Sequence, residues 1–389
     1  MFIGILAALI AGTMLGLYAL PGKFTSDFEE ENKWSLFFIL TMFAVPLIAT
    51  FGLMKGVGAI YSEIDSSILI TMIVSSFLWG VGVMMWGKAI DHIGMSLGFS
   101  LFIGTVILVG SVLPLGIAIS KGQPLPSTPT LIAILIGIAI VLMGVLSNGK
   151  AGLKREADEM ALKAGEAKAG EARAGEGSAG EGSAGDSETA KPKSYAIGIL
   201  IAVTGGLLAT GFNVAFTYGA GPLADAVKAN GNPGWMTAMA VMLPVFLSGG
   251  VAMTVYFLIQ LSKKKAWGKF KTPAFGKNFV LIFIMAVFHY AASAMYAFAA
   301  DSLGANGPVV VYAIFNTTCL VVAVVSGILT GEWTKASPQA KRWLYTGLTC
   351  MVVGVLVLAY GQTLDQPTAV ETTVETAANS FMNLHQVGA

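Results

Sequence analysis

The chain has 389 residues, of which 55% are hydrophobic and 12% are charged, about half the charged share of an ordinary soluble domain. Its formal net charge is only +1, without a basic face. These values exclude nucleic-acid binding and a soluble enzyme with membrane tethers. Cys319 and Cys350 lie in separate apolar runs and predict neither a disulfide framework nor a metal site. The composition indicates a polytopic membrane protein without a cofactor.

Ten apolar segments are long enough to cross a bilayer, which takes about 20 residues of helix. Their hydrophobic runs are continuous rather than alternating, so we predict an all-α membrane protein. We expect the first segment to be a retained span, because it lacks the basic start and the cleavage site of a signal peptide. The predicted spans cover residues 2–21, 34–54, 67–87, 95–119, 129–148, 194–218, 234–261, 278–300, 306–330 and 343–361.

The basic residues predict the orientation in the membrane. The odd-numbered loops between successive spans carry 20 Lys and Arg residues, and the even-numbered loops carry only Lys55, Lys121 and Lys228. Cytoplasmic loops are enriched in Lys and Arg. We therefore place the odd loops in the cytoplasm and both termini outside.

A charged segment divides the ten spans into five and five. Residues 150–193 are rich in Gly, Ala and Glu and have no apolar stripe, which predicts a flexible cytoplasmic linker. A regulatory or partner-binding role is the alternative. The predicted units are a first repeat of five helices (1–149), the linker (150–193), a second repeat (194–362) and a disordered tail (363–389).

Matches between the halves predict an internal repeat. The sequence from Ala89 to Gly94 resembles that from Ala299 to Gly304, and the pair Gly137/Gly144 resembles the pair Gly347/Gly354. Both matches have the same offset of 210 residues. Because each half has an odd number of spans, the second half runs antiparallel to the first. An inverted repeat of this kind is typical of transporters, whose substrate site lies near the bilayer midplane.

Polar side chains within the spans are the candidate functional residues, because they are costly at that depth. His289 lies about midway along the eighth span and has an ordinary pKa of about 6.5, so it could carry a proton. The alternative is a neutral histidine that bonds to a neighbouring helix. Aromatic faces pack on sugar rings and amides bind hydroxyls, although helix packing explains the aromatic residues equally well. The predicted substrate-binding residues are Tyr18, Trp79, Asn213, His289, Tyr290 and Asn316.

Three residues are candidates for coupling or gating: His289, Asp91 and Asp301. The two aspartates occupy equivalent positions in the predicted repeats, at span ends on opposite membrane faces. Each could instead cap the turn into the next helix through backbone N–H groups.

Several motifs resemble a known family. The run from Tyr18 through Pro21 to Lys23, followed by Lys33-Trp34-Ser35, is similar to a conserved stretch of the L-rhamnose–proton symporter family. The strongest similarity is the Gly-rich run over residues 77–110, and Glu332-Trp333 after the ninth span matches as well. The ten-span, five-plus-five arrangement resembles the drug/metabolite transporter superfamily, which contains that family.

The resemblance implies a bacterial inner-membrane transporter that uses a proton or another cation. We therefore expect import of L-rhamnose or a similar small polar metabolite, with membrane lipid as a further partner. An exporter of metabolites, drugs or amino acids is the alternative, and an integral-membrane enzyme is less favoured because no catalytic motif is present. The Gly137/Gly144 and Gly347/Gly354 faces could pack internally or form a homodimer.

Overall fold

The computed structural model describes residues 1–174 and 195–364. Within these two stretches the regular elements are all helical, and ten of them are long and apolar enough to cross a membrane. The prediction of an all-α protein with ten spans is confirmed. Spans 1 to 10 are Phe2–Phe24, Glu30–Leu53, Ser66–Ile90, Met95–Ser120, Thr128–Leu162, Ala196–Ala229, Gly234–Lys263, Phe275–Ser302, Gly304–Leu329 and Pro338–Gly361.

The alternating directions of the spans give the molecule two ends. Loops 1, 3, 5, 7 and 9 lie at one end, which we call the odd end. Loops 2, 4, 6 and 8 lie at the other, the even end, where loop 2 contains a short helix, Val57–Ser62.

Proline residues interrupt several spans. In span 1 the α-helix ends at Leu17, and a 3₁₀ turn follows over Leu20–Phe24 with Pro21 near its start. In span 2 a π-helical turn over Leu40–Ala44 precedes Pro46. Proline has no N–H with which to bond the carbonyl four residues earlier. These interruptions therefore leave backbone carbonyls that other groups can use.

The spans form two three-helix bundles. Spans 1, 8 and 9 pack together and make bundle A, and spans 3, 4 and 6 make bundle B. Span 7 lies against both bundles, span 2 lies against span 7 and against span 8 of bundle A, and spans 5 and 10 pack on each other. Each bundle thus contains spans from both halves of the chain.

Glycines allow a close crossing of spans 5 and 10. A β-carbon at Gly144 would lie 2.8 Å from the carbonyl oxygen of Gly347, and one at Gly354 would lie 3.0 Å from that of Gly137. Near the odd end the Ser147 hydroxyl donates to the carbonyl of Trp343 at 2.8 Å. The two glycine faces predicted to pack internally or to form a dimer therefore pack on each other within one chain.

The helix that contains span 5 continues beyond the predicted start of the linker, to Ala174. Two ion pairs on this extension, Lys154–Asp158 and Arg155–Glu159, have the i,i+4 spacing that stabilises helices. Asp158 also accepts a hydrogen bond from the backbone N–H of Ser337 in loop 9, which ties the extension to the bundle. The remainder of the predicted linker, from residue 175, and the predicted tail from residue 365 lie outside the described residues.

Loops 1 and 7 and the span ends beside them are joined at the odd end. Glu31 pairs with Lys264 and raises the pKa of that amine, chiefly through their hydrogen bond. The Asn32 amide donates to the carbonyl of Ala266 at 3.0 Å. The side chain of Asn278 bonds to both the N–H and the carbonyl of Ser26. These contacts hold spans 1, 2, 7 and 8 together at this end.

We expect Gly144→Ala to destabilise the fold by about 1–3 kcal/mol, because the added carbon would be forced against the Gly347 carbonyl. Thermal unfolding in detergent, followed by loss of the monodisperse peak in size-exclusion chromatography, measures the effect. Gly116→Ala in span 4 is the matched control, since a β-carbon there meets nothing within 4 Å. Equal melting temperatures for the two variants would contradict the close crossing.

Candidate substrate cavity

A cavity of about 170 Å³ lies between bundles A and B. It is lined on one side by spans 1, 8 and 9 and on the other by spans 3, 4 and 6, with contributions from spans 2 and 7. Most of its wall is aromatic or aliphatic, and the polar side chains project from bundle A. The residues of bundle A in the wall are Leu15, Tyr18, His289, Ser293, Tyr312, Phe315 and Asn316, and those of bundle B are Trp79, Val83, Phe102, Ile103, Val106, Ala209 and Phe212.

His289 is held by one hydrogen bond and three ring contacts. Its Nδ1 lies 3.1 Å from the hydroxyl of Thr41, which is also 3.2 Å from the carbonyl of Ala286. A hydroxyl has one proton, and the carbonyl can only accept it, so Nδ1 is the donor to Thr41. The proton of the neutral ring is therefore on Nδ1, and Nε2 is the basic nitrogen.

Aromatic rings fix the plane of the His289 imidazole. Tyr18 lies 5.0 Å away between ring centroids, Phe37 lies 5.5 Å away and Phe246 lies 5.6 Å away. The ring thus sits at the edge of an aromatic group contributed by spans 1, 2 and 7. This arrangement places one titratable nitrogen in the cavity wall.

Asn316 and Ser293 are the other short polar side chains of the wall. The Asn316 amide nitrogen donates to the carbonyl of Tyr312 at 2.9 Å, within its own helix. Its Oδ1 is then an acceptor for a molecule in the cavity. The Ser293 hydroxyl donates to the His289 carbonyl at 3.1 Å, which leaves its oxygen lone pairs as acceptors.

Asn213 closes the cavity toward the even end. Its amide nitrogen donates to the carbonyls of Gly110 at 2.7 Å and Pro308 at 2.8 Å, and its Oδ1 accepts from the hydroxyl of Tyr296. The Gly110 carbonyl is free because Pro114 stands four residues later without an N–H. These four residues, the Asn213 cluster, join spans 4, 6, 8 and 9 and so hold the bundles together.

A second carbonyl that lacks its helical donor because of a proline lies at the same end. Pro244 leaves the carbonyl of Ala240 without its helical donor, and the hydroxyl of Tyr61 donates to it at 2.7 Å. Tyr61 belongs to the short helix of loop 2, which packs on span 6. The even end is therefore closed by hydrogen bonds between elements as well as by apolar packing.

The odd end is open by comparison. A vestibule of about 490 Å³ adjoins the cavity and shares Tyr18, Phe38 and Val83 with it. Charged residues of spans 2 and 3 and of loop 7 surround the vestibule, among them Glu31, Lys88 and Lys264. The cavity thus communicates with the odd end, while the Asn213 cluster separates it from the even end.

The predicted site residues fall into three groups. Tyr18, Trp79, His289 and Asn316 line the cavity together. Asn213 lies next to the cavity, in the cluster just described. Tyr290 faces a separate apolar groove of about 460 Å³ between spans 2, 7 and 8.

The two predicted gating aspartates lie away from the cavity. Asp301 is exposed near the even end of span 8. Asp91 directly follows span 3 at the odd end, and its side chain lies outside the described residues. Sequence reasoning missed Thr41, the partner of His289, and Tyr312. A polar residue just ahead of a mid-span proline was the available signal for Thr41.

The sequence model of the L-rhamnose-proton symport protein family matches residues 1–192. Proteins named L-rhamnose-proton symporter in Mannheimia succiniciproducens and Klebsiella pneumoniae subsp. pneumoniae are each 22% identical, over 369 and 365 residues. The relative of that name in Escherichia coli O1:K1 is also 22% identical. Each alignment covers 92% of this chain and 97% of the relative. These relatives are named as transporters rather than enzymes. The predicted resemblance is confirmed: the chain is similar to L-rhamnose-proton symporters over 92% of its length.

Proposed function

We propose that this protein imports a sugar, L-rhamnose or a similar small polar metabolite, together with a proton by alternating access. One observation carries the proposal. A small cavity with a single imidazole lies between two bundles and shares wall residues with a vestibule at the odd end. The names of the relatives support both the sugar and the proton.

Equivalent contacts in the two halves support an inverted repeat, from which alternating access follows. Gly4 of span 1 faces Leu303 and Ser302, and Gly198 of span 6 faces Ile93 and His92. The two glycines differ by 194 positions, and both of their partners differ by 210.

A second pair of contacts follows the same rule. Gly12 packs on Thr318 and the carbonyl of Phe315, and Gly206 packs on Thr105 and the carbonyl of Phe102. The offset is again 194 residues between the glycines, and it is 213 between their partners. The crossing of spans 5 and 10 is likewise reciprocal at an offset of 210. Spans 1, 3, 4 and 5 thus correspond to spans 6, 8, 9 and 10, in that order. When each span is replaced by its counterpart, the same contacts recur.

The size and chemistry of the cavity favour a small polar substrate. Drug-sized ligands occupy pockets of about 300–1,000 Å³, whereas this cavity has about 170 Å³. Trp79 and Phe212 offer aromatic faces to the carbon-bound hydrogens of a sugar ring. Asn316 Oδ1 and His289 Nε2 are acceptors for its hydroxyls. The size of the cavity and the names of the relatives both disfavour the alternative of a drug exporter.

His289 is the proposed site of proton coupling. An imidazole titrates near neutral pH, and the Thr41 bond leaves Nε2 to accept the proton. In the state open to the odd end, this nitrogen can lose its proton through the vestibule. In a state open to the even end, it would take up a proton from that side. A protonated Nε2 donates to a substrate hydroxyl, so proton and sugar would stabilise the same occupied cavity.

The ten spans and the bacterial relatives indicate a multi-pass inner-membrane protein. We propose further that the odd end faces the cytoplasm, because the odd-numbered loops of the sequence carry 20 of the 23 Lys and Arg residues. The structure then corresponds to an inward-open state. The assignment to the drug/metabolite transporter superfamily is part of the same proposal.

We expect proteoliposomes containing the protein to accumulate labelled L-rhamnose when an inward proton gradient is imposed. Competition with unlabelled sugars and amino acids would define the substrate range. An equal sodium gradient at constant pH is the control for the coupling ion. No uptake under either gradient would contradict the proposed import.

We expect His289→Gln to abolish gradient-driven accumulation while substrate exchange between equal-pH compartments continues. Glutamine keeps an amide that can bond Thr41 and the sugar but cannot titrate. His92→Gln is the matched control, since that imidazole lies at the odd end and bonds the Lys88 carbonyl. Full proton-driven accumulation by His289→Gln would refute coupling at this residue.

Orientation has a separate test. We expect a fluorescent reporter that matures only in the cytoplasm to stay dark at the C-terminus and to fluoresce when it is inserted in loop 5. A periplasmic phosphatase at the same two positions should give the reverse pattern. A bright C-terminal fusion would show that the even end faces the cytoplasm.

A further inference from the structure

Trp86 of span 3 carries a buried indole N–H that has no hydrogen-bond partner among the described residues. Its ring lies between two clefts at the odd end, the vestibule and a second cleft of about 290 Å³ that reaches spans 4, 5 and 9. An unpaired polar group in a membrane protein is unfavourable. The N–H of Trp86 therefore points to a contact that this state does not make.

Trp86 has an equivalent residue at the even end. Tyr296 is 210 positions later, at the offset that relates spans 3 and 8. Trp86 packs on Phe99 at 5.4 Å and Phe102 at 6.1 Å, and Tyr296 packs on Tyr312 at 6.0 Å and Phe315 at 5.1 Å. The neighbours also correspond, at an offset of 213. Each ring is thus held by the same two positions within its own bundle.

The two rings differ in what they contact across the cavity. Tyr296 of bundle A reaches bundle B, where it packs on Phe212 at 5.3 Å and donates to Asn213. Trp86 of bundle B faces the open vestibule, whose far side includes Tyr18 of bundle A. Tyr18 precedes Phe212 by 194 positions, the offset that relates spans 1 and 6. The closed even end therefore indicates how the odd end closes.

An acceptor for the indole is available in span 1. The position equivalent to Asn213 is Ala19, which has no polar side chain, so a backbone group must accept. Pro21 cannot donate to the carbonyl of Leu17, four residues earlier. The two carbonyls freed by Pro114 and Pro244 at the even end both accept from side chains of other elements.

We propose that Trp86 is the positioning residue that closes the odd end, with its N–H donating to the Leu17 carbonyl in the state open to the even end. Tyr296 and Trp86 then hold opposite states of the cycle, and each bond is broken when the other forms. This inference rests on the proposed inverted repeat and alternating access. It concerns the equilibrium between the two states and does not depend on which substrate is carried.

The equilibrium can be measured without substrate. Gln260 lines the vestibule, so a cysteine there, in a chain with Cys319→Ala and Cys350→Ala, reacts with a charged maleimide when the odd end is open. Tyr296→Phe removes one even-end bond and should lower the ratio of odd-open to even-open molecules about threefold to tenfold, the factor expected for one hydrogen bond, which slows labelling. Trp86→Phe, added to Tyr296→Phe, should restore most of the lost rate.

If Trp86 and Tyr296 stabilise opposite states, their substitutions change the labelling rate in opposite directions. General loosening of the fold would change the rate in the same direction for both. Trp235→Phe, a half-exposed tryptophan at the even-end start of span 7, is the matched control and should leave the rate unchanged. Slower labelling, or no change, on adding Trp86→Phe to Tyr296→Phe would overturn the proposal. If the labelling rates change in the expected directions but no sugar is taken up, the proposed substrate is contradicted and the proposed role of Trp86 still holds.

The acceptor has its own test. Pro21→Ala supplies an N–H that can occupy the Leu17 carbonyl, so in the Tyr296→Phe chain it should also speed labelling. Because both substitutions remove the same bond, Trp86→Phe and Pro21→Ala together should raise the rate no more than either alone. Additive effects would show that Trp86 bonds elsewhere and would overturn the assignment of Leu17.

Discussion

The structure depends on the requirement that backbone polar groups inside a membrane find partners within the protein. Regular helices meet this requirement alone, but prolines in several spans leave carbonyls without their helical donors. At the even end, side chains of other elements donate to two of these carbonyls, those of Gly110 and Ala240. Helix breaks thereby become contacts between helices.

The cavity wall and the Asn213 cluster that closes it at the even end differ in chemical composition. The wall is mainly aromatic and aliphatic, and the polar groups that can meet a substrate come from bundle A. The even-end closure is a cluster of satisfied hydrogen bonds around Asn213. A polar cluster of this kind is stable only when it is complete. Separation of the bundles at that end would therefore break its bonds together, which favours two distinct states over a gradual opening.

Sequence reasoning succeeded where the physical signal is local. Hydrophobic length located the ten spans, and the cost of polar groups at depth selected His289, Asn316 and Asn213. The cost of polar groups at depth did not distinguish the roles of these three residues. Asn213 and Asn316 look alike in the sequence, yet one joins three other spans and the other offers its oxygen to the cavity. Tyr290 is next to His289 in the chain, but it projects toward a different groove because adjacent helical residues point about 100° apart.

The amino-acid sequence by itself determined the number of spans, their alternating direction and the family resemblance, because each depends on composition, length or motif. The tertiary structure alone decided which spans form each bundle, where the cavity lies and which end is open. These properties depend on contacts between residues that are distant in the chain. The proposed repeat likewise rests on one offset of 210 residues in the sequence, and the offsets of 194 and 213 that support it came only from the packing partners.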